Sequence, residues 1–156
     1  MKKTLYIAYG SNMDTDQMAF RCPTAELIGK AELDGWQLLF KGSQSGAYAT
    51  IEKADGYKVP VLVWAITPLD EERLDRYEGF PNFYYKKTVT VELDGKTRRA
   101  MVYIMHENRP FGAPSYQYYT CIENAYSRFG FDSTILDTAL EETIRQEGYS
   151  DELDDE

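Results

Sequence analysis

Histidine is almost absent from this chain of 156 residues: His106 is the only one. Multi-histidine metal sites are therefore excluded, and a Ser-His-Asp or Cys-His system would have to run through that one residue. No nucleophile signature stands beside it, so His106 reads as a structural or surface residue. Cysteine is scarce too. The two present, Cys22 before a proline and Cys121 in an apolar helix, form no CxxC pair. They read as small core residues with reduced thiols, which points to the cytoplasm. Basic clusters are also missing, and the formal net charge is −9. That makes nucleic acid and anionic membrane poor partners. No apolar run approaches a transmembrane span, and the residues before Gly10 are too few for a signal peptide's apolar region.

What is present is enough for a core, with 43% hydrophobic residues and 13 tyrosines. Tyrosine suits strands, and it suits a pocket lined by rings with polar tips. The length fits one domain. With no internal repeat and no linker, residues 1–148 read as that domain. The stretch Asp151-Glu152-Leu153-Asp154-Asp155-Glu156 makes residues 149–156 an acidic tail, expected to be disordered.

The chain is organised around its first strand. Leu5 to Tyr9 is a short apolar run that ends at Gly10-Ser11-Asn12, three residues suited to a tight turn. Asp14, with Gln17 three residues on, reads as a helix start. Strand, turn and helix start can cradle an anion or a developing oxyanion, or simply turn a corner. Further on, Leu27–Leu33 and Trp36–Phe40 flank Asp34-Gly35, a two-residue hairpin signal. A Gly/Ser loop follows, then a short strand from Tyr48, then Val59–Ile66, apolar on both faces and so a central strand.

Thr67-Pro68-Leu69-Asp70 opens a helix that ends at Glu78-Gly79. Strands Tyr84–Leu93 and Arg98–Met105 form a second hairpin around Asp94-Gly95. Tyr85, Val89, Val91 and Leu93 share the core face of the first, which leaves Tyr84 on the wetter one. Ser115 begins a helix, and a last helix runs from Ser133 to Glu147 with Gly148 as its stop. The order is α+β rather than regular βαβ alternation.

With histidine and cysteine set aside, carboxylates, tyrosines and backbone remain for chemistry. Glu78 stands apart among the acids. It lies four residues after Leu74, on the packing side of its helix. It sits where the helix dipole disfavours an anion, and Gly79-Phe80-Pro81 lets the chain fold over it. Desolvation and dipole both raise its pKa, as a proton-shuttling base near neutrality requires. The competing reading is a helix-end glutamate reaching into solvent.

Four segments occur in one order: Tyr9-Gly10-Ser11-Asn12 after a first strand, Tyr77-Glu78-Gly79 at a helix end, Tyr84-Tyr85 at a strand start, and Pro114-Ser115 with Tyr118 at a late helix. In these the chain resembles the gamma-glutamylcyclotransferase-like superfamily, over about residues 4 to 131. The resemblance implies a small, mixed β-barrel with helices packed around it. It also implies an enzyme that cyclises a γ-glutamyl amine to 5-oxoproline and releases a free amine, with a small-molecule γ-glutamyl substrate and no cofactor or metal.

By the same resemblance Glu78 falls on the catalytic position, as general acid and base, and Tyr9, Gly10, Ser11 and Asn12 fall on the substrate-binding loop. Tyr84 and Tyr118 are candidate ligand contacts or packing residues, and Asn12 either orients the cradle or caps the next helix. The alternative function is a non-catalytic module on the same fold, binding a small ligand or a partner.

Overall fold

Alternating apolar residues along two long runs build most of the sheet in a computed structural model of the chain, which describes residues 2–43 and 45–154. The elements in order are β1 (Thr4–Ala8), a 3₁₀ turn (Ser11–Met13), α1 (Thr15–Arg21), β2 (Glu26–Lys41), β3 (Ser45–Ile66), α2 (Pro68–Glu78), β4 (Tyr84–Leu93), β5 (Lys96–Met105), β6 (Ala113–Pro114), α3 (Tyr116–Phe129) and α4 (Ser133–Asp154). Among the described residues, no helix is long and apolar enough to cross a membrane.

The sheet order is β2-β3-β1-β5-β4, with short β6 pairing separately with β3. β1 lies in the middle, antiparallel to β3 from Thr4↔Ile66 to Ala8↔Leu62 and parallel to β5 at Tyr6↔Met101. Its buried residues Ile7 and Ala8 are only 1% exposed. The chain therefore leaves the centre of the sheet as it enters the Gly10 turn. Val59–Ile66 is buried throughout and flanked on both sides, as a central strand should be.

The fold is α+β, but the expected barrel is not formed. β2 and β4 are the edges of an open sheet and share no main-chain pairing. Closure needs an unbroken ladder around the ring. Here a groove separates the two edges, lined by Lys30 and Glu32 on β2, Thr90 and Glu92 on β4, and Phe131. Charged side chains on edge strands are a common device against further strand pairing.

The Asp34-Gly35 hairpin is also absent. Gly35 does adopt a positive φ of 82°. It forms an irregularity between Asp34↔Lys58 and Trp36↔Lys53 inside one long β2–β3 ladder. The chain reverses later, after Lys41. Asp94-Gly95, by contrast, closes the β4–β5 hairpin with positive φ at both residues, 52° and 78°.

Tyr84 departs from its expected wetter face and is only 6% exposed. The start of that face is roofed by α2, where Lys86 bonds Glu71 at 2.7 Å and Asp75 at 3.1 Å. Farther along, Thr88, Thr90 and Glu92 are exposed. α4 passes through Gly148 to Asp154. Residues 155 and 156 of the expected acidic tail lie outside the described residues.

Candidate active site

The peptide turn after β1 is built by two short-range bonds. Met13 N–H donates to Gly10 O and Asp14 N–H to Ser11 O, both at 3.0 Å. The first N–H groups of such a turn, those of Ser11 and Asn12, have no partner inside it. Asp14 caps α1 by accepting from the N–H groups of Asp16 and Gln17 at 2.9 and 3.1 Å. Gln17 does not return the bond; its amide reaches Arg21 and Cys121 instead. Gly10 sits at a close approach. A Cβ there would lie 3.1 Å from Tyr118 Oη and 3.5 Å from the Ala49 Cβ.

Opposite the turn stands the end of α2. The start of this helix has Thr67 as N-cap and Pro68 in the first turn. Its end is a Schellman motif: Gly79, with φ 67°, donates to Arg76 O at 3.3 Å, and Phe80 donates to Asp75 O at 2.9 Å. Glu78 is the last helical residue, at the negative end of the dipole. Burial pushes its carboxyl up to about 7, and the nearby Arg21 charge opposes that rise. Its charge in turn helps hold the hydroxyls of Tyr6, Tyr9, Tyr84 and Tyr118 in the neutral form, above their ordinary range, with burial the main cause.

Turn and helix end share one cavity of about 290 Å³. Every residue singled out from the sequence lines it: Tyr9, Gly10, Ser11, Asn12, Glu78, Tyr84 and Tyr118. Their bonds differ. Tyr9 donates its hydroxyl proton to Tyr103 O at 2.7 Å, and Tyr84 donates to Ala49 O at 2.9 Å. These two wall the cavity with rings. Tyr118 Oη instead accepts the Ala49 N–H at 3.0 Å. Its O–H is left without an acceptor among the described residues and can turn toward a ligand. Asn12 caps no helix. Its amide donates to Tyr6 Oη at 2.9 Å and accepts from Arg21.

Sequence reading missed Tyr6, Tyr77 and Tyr103, which also line the cavity, and Arg21 beside it. The only signal for Arg21 was its place four residues after Gln17, which pairs with it at 2.8 Å. His106 lies away from the cavity, with Nε2 2.8 Å from Pro81 O. Neither cysteine lines the cavity. Burial pushes the Cys22 thiol up to about 11, and burial with Asp14 raises Cys121. Among the described residues, no group of three or more His, Cys, Asp or Glu side chains gathers as metal ligands would.

Among the described residues that line the cavity, the arrangement offers a lone protonatable carboxyl, a turn whose first N–H groups have no partner within it, and aromatic walls. It suits proton transfer at a substrate that develops negative charge on oxygen. Comparison with known proteins points the same way. The family model described as Gamma-glutamyl cyclotransferase, AIG2-like, matches residues 6–120. A Gamma-glutamylcyclotransferase of Homo sapiens is 31% identical over 129 residues, covering 76% of this chain and 68% of that protein. The protein of the same name from Bos taurus is 32% identical over 129 residues, with the same coverage of 76% and 68%. A solved structure titled Gamma-glutamyl cyclotransferase aligns with a TM-score of 0.79 at 28% identity, covering 88% of this chain and 86% of the other.

Proposed function

We propose a reaction for this chain, which belongs to the gamma-glutamyl cyclotransferase, AIG2-like family: as an enzyme, it cyclises a γ-glutamyl amine to 5-oxoproline and releases the free amine. The observation that carries this reading is the convergence of Glu78 and the Gly10–Asn12 turn on one cavity.

The chemistry follows from what the substrate already holds. Its α-nitrogen is tethered to its γ-carbonyl, so most of the proximity advantage is intramolecular. Glu78 as carboxylate takes a proton from the α-ammonium. The freed nitrogen attacks the γ-carbonyl carbon, and the new C–N bond drives the carbonyl electrons onto oxygen. Backbone N–H groups of Ser11 and Asn12 stabilise that oxyanion. Glu78, now a carboxylic acid, protonates the departing nitrogen as the old C–N bond breaks. The ring nitrogen then gives its second proton to the Glu78 carboxylate, which passes it to the released amine. The attacking nitrogen has shed two protons and the leaving nitrogen has gained two, so no outside acid is consumed. A carboxyl near 7 is populated in both forms at neutral pH, as a group that takes and then returns a proton should be. Tyr118 orients the substrate through its spare O–H, while Tyr9 and Tyr84 shape the wall. A cytoplasmic setting accords with two free cysteines and is checked by cell fractionation.

The test is incubation with a panel of γ-glutamyl amides, followed by measurement of 5-oxoproline. Release from at least one amide is expected, and Glu78→Gln is expected to bind the same amides without turnover. No release from any member, with binding intact, leaves a ligand-binding module instead.

A further inference from the structure

Arg21 closes α1 and is not among the residues that line the cavity, yet its guanidinium touches both segments that face each other there. On one side Nη1 donates to Asn12 Oδ1 and lies 3.5 Å from Ser11 Oγ, while Nη2 donates to Gln17 Oε1 at 2.8 Å. On the other side the guanidinium carbon sits 3.7 Å from the centroid of the Tyr77 ring. Tyr77 precedes Glu78, and its hydroxyl lies 3.3 Å from Ser11 Oγ. Turn, arginine, ring and turn again form a closed circuit. Only a planar, forked cation can stack and bond at once; the ammonium of lysine is a point charge.

We propose that Arg21 is a positioning residue for the reaction assigned above: it clasps the turn at Ser11–Asn12 to the end of α2 at Tyr77–Glu78, and so fixes the distance between the N–H donors and the acid. The inference rests on that reaction for its kinetic consequence and on the contacts alone for its structural one. Burial sets the ionisation of Glu78 and Arg21 counters it. The other groups facing Glu78 are Tyr6 and Tyr9 from β1 and its end, Tyr84 from β4 and Tyr118 from α3. Their hydroxyls stay neutral through the working pH range. Loss of Arg21 therefore removes the clasp and the countering charge together.

Arg21→Met and Arg21→Lys separate the two. Arg21→Met is expected to lower kcat by roughly 10²-fold with a smaller change in KM, since displaced donors miss the transition state. Its acid limb in kcat/KM should move to higher pH, because a carboxyl without its cation holds its proton longer. Arg21→Lys keeps the charge, so its acid limb should stay with wild type while kcat still falls. Amide hydrogen exchange at Ser11 and Asn12 should quicken in both variants. Should Arg21→Met fail to fold, Tyr77→Leu removes the stacked ring and should give the same faster exchange with lowered kcat. Wild-type kcat within about twofold, an unmoved limb and unchanged exchange would overturn the clasp. If wild type releases no 5-oxoproline at all, the assigned reaction fails, and the exchange rates alone decide whether Arg21 holds the turn.

Discussion

The two ends of α2 each hold an acid, Asp70 buried and Glu78 half-buried at the cavity wall, and they treat it in opposite ways. At the start, Asp70 is 1% exposed. One of its carboxylate oxygens accepts the Thr67 N–H at 3.1 Å and the Thr24 hydroxyl at 2.7 Å. It also sits at the positive end of the dipole. At the other end Glu78 accepts no hydrogen bond among the described residues and faces the negative end of the same dipole. Burial there outweighs the opposing charge of Arg21, and the carboxyl is pushed up to about 7. One acid is placed to hold the helix; the other, in the reaction proposed above, exchanges a proton. Desolvation without a hydrogen-bond partner among the described residues separates the two environments.

The largest effect should come from Glu78→Gln, which keeps shape and removes the titrating group. Release of 5-oxoproline should fall by roughly 10²–10⁴-fold, measured at saturating substrate on folded protein. Retained turnover would break the contrast at its functional end. Asp70→Ala probes the structural end. It strips a capping box and leaves the Thr67 N–H unpaired, so urea unfolding should show a loss of about 2–3 kcal/mol. Turnover per folded molecule should stay near wild type.

The third effect is in pH. A carboxyl whose folded pKa of about 7 exceeds its ordinary 4.5 stabilises the fold fully below 4.5, and that contribution is lost as pH rises toward 7. Wild type should therefore lose stability across that window by something on the order of 2 kcal/mol, reduced where the cavity mouth admits water. Glu78→Gln should lack this component, so the difference between the two unfolding curves isolates it. The smallest effect is Gly10→Ala. The added methyl meets Tyr118 Oη at 3.1 Å, so kcat/KM should fall by about tenfold, or ~1.4 kcal/mol, with little change in Tm. An unchanged kcat/KM would show that the turn and Tyr118 can separate freely.

Features fixed by local chemistry were legible in the sequence. The caps of α2, the stop at Gly79 and the Asp94-Gly95 turn follow from residues adjacent in the chain. So did the opposing candidates Glu78 and Gly10, because each is odd for its own position. Features fixed by distant partners were not legible. Gly35 takes the positive φ of a hairpin, but the 22-residue β3 carries the ladder past it. Whether β2 and β4 join depends on two edges far apart in the chain, which only the fold sets side by side. Arg21 reads as an ordinary basic residue ending a helix; its role depends on Tyr77, which only the fold brings to it.

The ionisation of Glu78 in the folded protein tests the central claim most directly. A ¹³C NMR titration of its side-chain carboxyl should show a midpoint near 7, about the value that burial opposite the turn imposes. A midpoint near the ordinary 4.5 would mean a solvated acid, and the proton shuttle assigned to it would be contradicted.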